Sequence, residues 1–264
     1  SEPPVSALPA THPVLSTHGL TVRFGGHVAV DGVTAEFHPG TLTAIVGPNG
    51  AGKTTYFNLV SGQLRASAGT VRLFGEDVTR LGAPQRAQRG IGRAFQLTNL
   101  FPHLTVRENV RLAVQGRERV GLNLLSVWSR RVDLVEKAEH YLERVALADR
   151  RHDLAASLAH GEQPKLEVAI PLALEPQVLM FDEPTAGMSL DEVPVVLDLI
   201  HHIKEQGDRT VLLVEHKLEV VRSLADRIIV LHDERLVADG RPADVMASPI
   251  VREAYLGTGD GGDA

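Results

Sequence analysis

The sequence predicts an α/β fold with a mostly parallel sheet, an antiparallel β region near the start and an inserted helical segment. Beyond residue 163, short apolar segments alternate with helical patterns, which is typical of parallel strands joined by crossover helices. Near the start, two β-rich segments flank a Gly25-Gly26 turn, which indicates antiparallel pairing. Residues 99–157 carry helical periodicity and few strand signals, which indicates an insertion.

Composition narrows the possible functions. The 264 residues include 27 Lys and Arg against 33 Asp and Glu, a net charge of −6. This balance argues against a broad basic face, so we expect no nucleic acid partner. The chain contains no cysteine, which excludes disulfides, cysteine metal sites and thiol catalysis.

Residues 1–13 are predicted to be a flexible tail, because they contain prolines and acidic residues but neither a basic segment nor an apolar one typical of a signal peptide. No apolar segment approaches the roughly 20 residues that span a bilayer. We therefore expect residues 14–264 to form a single soluble domain in the cytoplasm. Any role at a membrane would then require a partner that spans it.

The elements follow from local patterns. Before the insertion, β-branched and apolar residues predict strands at residues 14–22, 28–37, 41–46 and 71–74, and a helical pattern covers residues 53–61. Beyond it, helices are predicted at residues 163–174, 190–206 and 218–224, and strands at residues 178–181, 210–214 and 227–231. Pro164 is tolerated at a helix start, whereas Pro171 should kink or end its helix.

Helical periodicity within the insertion covers residues 105–115 and 132–146. We expect the second helix to bury one apolar face. The residues that can share this face are Val132, Val135, Ala138, Tyr141, Leu142 and Val145.

Residues 47–54 match the phosphate-binding loop pattern G-x-x-x-x-G-K-[ST] in full. Glycines let backbone N–H groups converge on phosphate oxygens, and the following helix points its positive end at the same anion. Lys53 can reach the β- and γ-phosphates, and the Thr54 hydroxyl can bind Mg²⁺. A Gly-rich turn could match by chance, but this motif also lies between a predicted strand and a predicted helix. The predicted nucleotide-binding residues are Asn49, Gly50, Ala51, Gly52, Lys53, Thr54 and Thr55.

Two carboxylates follow the apolar strand at residues 178–181. Ligands bind at the carboxyl ends of parallel strands, so Asp182 suits a Mg²⁺ site and Glu183 can orient or deprotonate the water that attacks the γ-phosphate. The alternative is a solvated strand end before the Pro184 turn.

A phosphate loop alone leaves kinases, GTPases, motors and helicases open. Further motifs in the matching order resemble the ABC transporter nucleotide-binding family over residues 15–257. Phe95-Gln96 resembles its Q-loop, residues 158–163 its signature, Ala186-Gly187-Met188-Ser189 its D-loop and Val214-Glu215-His216 its H-loop. Residues 47–54 and 178–183 resemble its Walker A and Walker B motifs.

The resemblance implies a P-loop NTPase (RecA-like) core with an antiparallel β subdomain and a helical subdomain inserted at about residues 97–163. It implies that Glu183, His216 and Gln96 serve hydrolysis, with Thr54, Gln96 and Asp182 at Mg²⁺. It also implies that adenine stacks on Phe24, for which core packing is the alternative. For His216 the alternative is a solvated surface histidine.

In this family two subunits enclose two ATP molecules, each held by the Walker A of one subunit and the signature of the other. The signature residues facing the partner's nucleotide would be Ala159, His160, Gly161 and Glu162. Ala159 stands where the commonest signature has a serine, so one hydrogen bond to the partner's ATP is lost. Gly161 keeps backbone donation from the helix start.

The resemblance also implies partners: a second ATPase subunit, transmembrane permease subunits at the inner face of the cell membrane and, indirectly, a substrate-binding protein. Phe101 would dock on the permease if it is exposed, and would belong to the core if it is buried. Residues 90–96, 158–163 and 252–257 resemble the branched-chain amino acid importer type. A urea or amide importer, and an ABC ATPase without a transport role, stay open as alternatives.

Overall fold

The computed structural model describes residues 12–94, 100–118, 127–189, 192–216 and 218–256. Its strands are β1 (Leu15–Phe24), β2 (His27–Phe37), β3 (Leu42–Val46), β4 (Ala68–Leu73), β5 (Glu76–Asp77), β6 (Ile91–Ala94), β7 (Val178–Asp182), β8 (Thr210–Val214), β9 (Arg227–His232) and β10 (Arg235–Gly240). Its helices are α1 (Lys53–Ser61), α2 (Ala83–Gln88), α3 (Val106–Glu118), α4 (Val127–Arg144), α5 (Gln163–Ala173), α6 (Glu192–Glu205), α7 (Leu218–Leu224), α8 (Pro242–Ala247) and α9 (Pro249–Leu256). Within these ranges no helix is long and apolar enough to cross a membrane.

The central sheet has six strands in the order β10-β9-β3-β8-β7-β6, and all but the edge strand β10 run parallel. Val214 of β8 is paired with Ile45 of β3 on one side and with Asp182 of β7 on the other. The carboxyl ends of these three strands therefore lie at one edge of the sheet. The sequence patterns predicted β3, β7, β8 and β9 but missed the short strand β6 and the edge strand β10.

The second sheet is antiparallel, in the order β2-β1-β4-β5. The Gly25-Gly26 turn connects β1 to β2, as the sequence predicted, and Phe24 is paired with His27 across it. Phe24 and His27 therefore lie next to each other at the tip of this hairpin.

Alternate residues of the central strands face two separate layers of the core. On β7 and β8, Leu179, Phe181 and Leu213 face the layer that contains the helical segment. Met180 and Val214 face the layer shared with α1 and the antiparallel sheet. Burial on both sheet faces explains why these strands are apolar throughout. Each such side chain contributes roughly 1.5–3 kcal/mol of hydrophobic stabilisation.

The helical segment contains α3 and α4. The buried face of α4 differs from the predicted one. Val132 was expected in the buried face of α4, but its exposed fraction is 53%. Leu134 is buried in its place. Leu134, Ala138, Tyr141, Leu142 and Val145 share the buried face at helical spacing, whereas Val132 points away from it.

Helix α5 begins after Glu162 with Pro164 in its first turn. Proline is tolerated there because the first N–H groups have no partner within the helix. Pro171 lies in the last turn and the helix ends at Ala173. The predicted effect of Pro171 on the end of this helix is therefore confirmed.

Arg86 of α2 fixes the far end of α1. Its side chain is buried, and its guanidinium donates to the carbonyl oxygens of Leu59 (2.7 Å) and Val60 (2.7 Å) in the last turn of α1. It also donates to the carbonyl oxygens of Leu81 (3.0 Å) and Thr79 (2.9 Å). Burial lowers the pKa of Arg86 to about 10, so it remains a cation at neutral pH. A cation at a helix C-terminus is favourable because it complements the helix dipole.

We expect Arg86→Met to lower the free energy of unfolding by about 2–4 kcal/mol, because several buried carbonyl oxygens lose a charged donor. Urea unfolding followed by circular dichroism measures this change. Arg89→Met, at the exposed end of the same helix, is the matched control and should leave the midpoint unchanged. Equal midpoints for the two variants would contradict the capping role of Arg86.

Candidate nucleotide-binding site

The phosphate loop connects β3 to α1 and requires glycine at two crowded positions. Gly47 has φ 153° and Gly52 has φ 88°, both outside the range that other residues favour. A Cβ on Gly47 would lie 2.1 Å from the Leu231 carbonyl oxygen, and one on Gly52 would lie 2.5 Å from the Ala29 carbonyl oxygen. The loop can therefore pack against the sheet edge only with glycine at both positions.

Lys53 is the first residue of α1, and it folds back over the loop. Its Nζ donates to the carbonyl oxygens of Gly47 (2.8 Å) and Pro48 (2.9 Å). Burial lowers the pKa of Lys53, and the nearby carboxylates of Glu183 and Asp182 oppose this shift. The ammonium group is thus held next to the cleft, where a phosphate oxygen could accept from it.

Two polar clefts meet at this loop. The first, of about 360 Å³, is lined by His27, Ala29, Asn49, Gly50, Gly52, Lys53, Thr54, Thr55 and Glu183. The second, of about 400 Å³, is lined by Thr54, Glu167, Asp182, Glu183, Pro184, Ala186 and Met188. Thr54 and Glu183 line both clefts, so the predicted phosphate loop and the predicted acidic pair share one site.

Among the predicted nucleotide-binding residues 49–55, Ala51 alone is outside the described lining of both clefts. Its side chain is buried, and its backbone N–H donates to the Pro48 carbonyl oxygen at 3.2 Å. Ala51 therefore stabilises the conformation of the loop and does not face the clefts.

Asp182 ends β7, and its carboxylate is nearly buried. Its Oδ2 accepts a hydrogen bond from Arg93 at 2.5 Å, whereas its buried Oδ1 has no partner among the described residues. A carboxylate oxygen without a partner, in a cleft that also contains the Thr54 hydroxyl, is a suitable donor for Mg²⁺. The residues present therefore fit a magnesium ion.

Glu183 adopts a left-handed backbone conformation with φ 47°. Its N–H donates to the Val214 carbonyl oxygen of the neighbouring strand (2.9 Å), and its own carbonyl oxygen accepts from Ala186 N–H (3.0 Å). Such a conformation is uncommon for a residue other than glycine and is often found at functional sites. These contacts turn the chain sharply, so that the Glu183 side chain reaches the phosphate cleft.

His216 follows β8 at the same sheet edge and is exposed. The preceding Glu215 is fully buried: its Oε1 accepts from the Thr185 hydroxyl at 2.6 Å and its Oε2 from the His216 N–H at 3.1 Å. The His216 Nδ1 lies 3.9 Å from the same Oε2. Glu215 therefore ties the chain around His216 to the segment that follows Glu183.

Phe24 lies at the hairpin tip with an exposed fraction of 51%. This exposure excludes core packing, which was the alternative to an adenine-stacking role. His27, its partner across the turn, lines the phosphate cleft. Phe24 is thus available to a base whose phosphates occupy that cleft.

The signature residues form the turn that leads into α5. Ala159 and His160 are exposed, and Ala159 N–H donates to the Glu162 carboxylate at 3.2 Å. The described linings of the two clefts do not include Ala159, His160, Gly161 or Glu162. Within one chain, the signature is therefore not part of the phosphate site. Gln96 lies outside the described residues.

Sequence reasoning missed four polar residues of the site: His27, Arg93, Glu167 and Glu215. Glu167 of α5 lines the second cleft, and burial raises its pKa. A partial signal was present for Arg93, which lies three residues before Gln96 in the sequence. Glu215 lies within the segment that resembles the H-loop but was given no role of its own, because its contact with Thr185 forms only in the fold. No local pattern indicated His27 or Glu167.

Comparison with known protein families supports a nucleotide site. Residues 30–186 match the ABC transporter family, and residues 235–261 match the family described as branched-chain amino acid ATP-binding cassette transporter.

Individual relatives resemble almost the whole chain. The high-affinity branched-chain amino acid transport ATP-binding protein LivG of Escherichia coli K12 is 36% identical over 252 residues, covering 94% of this chain and 99% of LivG. BraF of Pseudomonas aeruginosa, which carries the same description, is 37% identical over 253 residues, with the same shares covered.

Solved structures agree in fold. An ATP-binding cassette of an ABC transporter, in an ADP conformation, has a TM-score of 0.79 and 29% identity, covering 94% of this chain and 100% of that structure. The cbiO1 protein of Clostridium perfringens, part of the ABC transporter complex cbiONQ, has a TM-score of 0.77 and 25% identity, with 93% and 96% covered.

We expect Lys53→Ala to abolish detectable nucleotide binding, because the phosphates lose the buried cation of the loop. Isothermal titration calorimetry with ATP measures the affinity, and circular dichroism verifies folding. Lys165→Ala, on helix α5 outside both clefts, is the control and should bind ATP normally. Wild-type affinity in a folded Lys53→Ala protein would contradict the assignment of the phosphate loop.

Proposed function

The chain belongs to the ATP-binding proteins of ABC transporters, and we propose that it energises an importer of branched-chain amino acids. As a member of this family it binds and hydrolyses ATP to power transport. The main observation in support of this proposal is that the phosphate loop, Asp182 and Glu183 lie together at one edge of the central sheet. The cargo is inferred from the similarity to LivG and BraF and from the match at residues 235–261.

The phosphate loop and α1 bind the nucleotide. Backbone N–H groups around Gly50 and Gly52 and the Lys53 ammonium hold the phosphates, and Phe24 stacks on the adenine. Thr54 and Asp182, with Gln96 as a further candidate, would hold Mg²⁺. When bound, this ion supplies charge neutralisation at the phosphate oxygens.

Glu183 orients the attacking water or accepts its proton while the water oxygen bonds to the γ-phosphorus. The bond from that phosphorus to the β–γ bridging oxygen breaks, which leaves ADP and inorganic phosphate. Its left-handed backbone and its place between the two clefts suit this role. His216 donates a hydrogen bond to the γ-phosphate, and Glu215 fixes the chain from which the imidazole projects. Lys53 and the loop N–H groups stabilise the charge that accumulates on the transferred group.

We propose that the complete site needs a second ATPase subunit. Ala159 and His160 are exposed, Gly161 and Glu162 are half-buried, and all four lie outside both clefts of their own chain, which suits contact with a partner's nucleotide. Without a serine hydroxyl at Ala159, that contact depends on the backbone N–H groups at the start of α5. A partner with a different signature would make the two half-sites unequal.

The permease contact is proposed at an apolar edge formed by Phe101 and Leu154. Their exposed fractions are 52% and 48%. Asn109, which is buried, accepts from the Phe101 N–H (2.8 Å) and donates to the Phe101 carbonyl oxygen (3.1 Å). The backbone that presents Phe101 is therefore fixed in advance, which favours docking over core packing. Docking of this kind would place the chain at the inner face of the membrane, with the substrate-binding protein on the far side.

We expect Glu183→Gln to reduce ATP turnover by roughly 100-fold or more, because the amide cannot accept the proton. ATP binding should persist, and an ATP-bound dimer should accumulate in size-exclusion chromatography. Glu234→Gln is a matched control, since Glu234 shares the left-handed backbone but lies in the β9–β10 turn. Undiminished turnover in Glu183→Gln would remove Glu183 from this role.

The same variants test the cargo. In vesicles that contain the complete transporter, we expect the unaltered chain to drive leucine uptake and Glu183→Gln to abolish it. Uptake of urea or a short amide without leucine uptake would favour the alternative importer. ATP hydrolysis without association with any permease would favour an ABC ATPase that has no transport role.

A further inference from the structure

Arg93 connects the acidic end of β7 to the helix that follows the phosphate loop. Its Nη2 donates to Asp182 Oδ2 at 2.5 Å. Its Nη1 donates to Asn58 Oδ1 (2.7 Å), Ser61 Oγ (3.2 Å) and Gln63 Oε1 (2.9 Å). Asn58 and Ser61 belong to α1, so one guanidinium joins α1 to the Asp182 carboxylate.

The guanidinium of Arg93 is fixed as well as paired. It lies over the Phe57 ring with its Cζ 5.0 Å from the ring centroid, and the side chain is 8% exposed. Its strand β6 is paired with β7 in register, with Arg93 opposite Met180. Moving this side chain would break several hydrogen bonds at once, so Arg93 is poorly suited to act as a counter-ion that leaves when a metal arrives.

The pairing uses only one oxygen of Asp182. Arg93 holds Oδ2, whereas the buried Oδ1 has no partner among the described residues. Asp182 lines the cleft together with Thr54 and Glu183. The fixed Arg93 thus determines which carboxylate oxygen is left for a cation in that cleft.

We propose that Arg93 is a positioning residue that orients Asp182 for Mg²⁺ and couples this orientation to α1. The proposal rests on the ATPase function proposed above. Partners that orient a metal ligand commonly change metal affinity about 10–100-fold when they are removed. Arginine suits this position because its planar fork can donate to a carboxylate and to neutral acceptors simultaneously, which a lysine ammonium cannot do in the same geometry.

The test compares Arg93→Met and Arg93→Lys with the unaltered chain and with Arg227→Met. Arg227 is a matched control for Arg93 because it lies on β9 of the same sheet and has similar contacts. Its Nη2 donates to Asp239 Oδ2 at 2.5 Å, and its Cζ lies 5.9 Å from the Phe37 ring centroid. It is absent from the described linings of both clefts. Mn²⁺, detected by electron paramagnetic resonance, replaces Mg²⁺ in the presence of a slowly hydrolysed ATP analogue.

We expect Arg93→Met to weaken Mn²⁺ binding to the nucleotide complex roughly 10-fold or more. Affinity for the analogue in EDTA, measured by calorimetry, should stay at the wild-type level because the loop is intact. Arg93→Lys should give an intermediate loss, and Arg227→Met should give none. If Arg93→Met does not fold, Arg93→Lys decides the question with the same measurement.

Unchanged or tighter Mn²⁺ binding in a folded Arg93 variant would overturn the proposal. Tighter binding would show that Arg93 competes with the cation instead of orienting its ligand. Failure of the unaltered chain to bind the analogue would count against the proposed ATPase function itself. The two failures are distinguishable, because the first is seen beside intact nucleotide binding.

Discussion

The parallel register of β3, β8 and β7 is the constraint on which the site depends. Val214 lies between Ile45 and Asp182, so all three strands end at one edge of the sheet. The chain beyond each strand then supplies a different group: the phosphate loop after β3, Glu183 after β7 and His216 after β8. Burial of the strands on both faces holds this register, because a shift by one residue would exchange the residues that face the two core layers.

Buried hydrogen bonds orient the residues that the strand register places at this edge of the sheet. Glu215 accepts from Thr185 and from the His216 backbone, and Arg93 joins Asp182 to α1. Buried charges are costly unless they are paired and hydrogen-bonded, so each of these groups is stable only with its neighbours in place. The same contacts that stabilise the sheet edge therefore also orient the groups that we propose bind and hydrolyse ATP.

The sequence predicted correctly those features of the fold that short segments of the chain determine. The phosphate loop, the apolar strands and the effect of Pro171 all follow from short segments. Strand β6 was missed because its four residues include Gly92 and Arg93, which obscure the apolar pattern. Val132 was placed in the buried face of α4, where Leu134 lies instead, because several apolar residues compete in that segment. Arg93, Glu167 and Glu215 could not be assigned, since their roles depend on contacts made only after folding.

The position of the metal ion shows whether the groups at the sheet edge form one site. Crystals grown with Mn²⁺ and a slowly hydrolysed ATP analogue would locate the ion by its anomalous scattering. We expect a single peak next to the Thr54 hydroxyl and facing Asp182 Oδ1, with Arg93 still hydrogen-bonded to Oδ2. A peak away from Asp182, or an Arg93 side chain displaced from it, would show that these residues do not form one metal site.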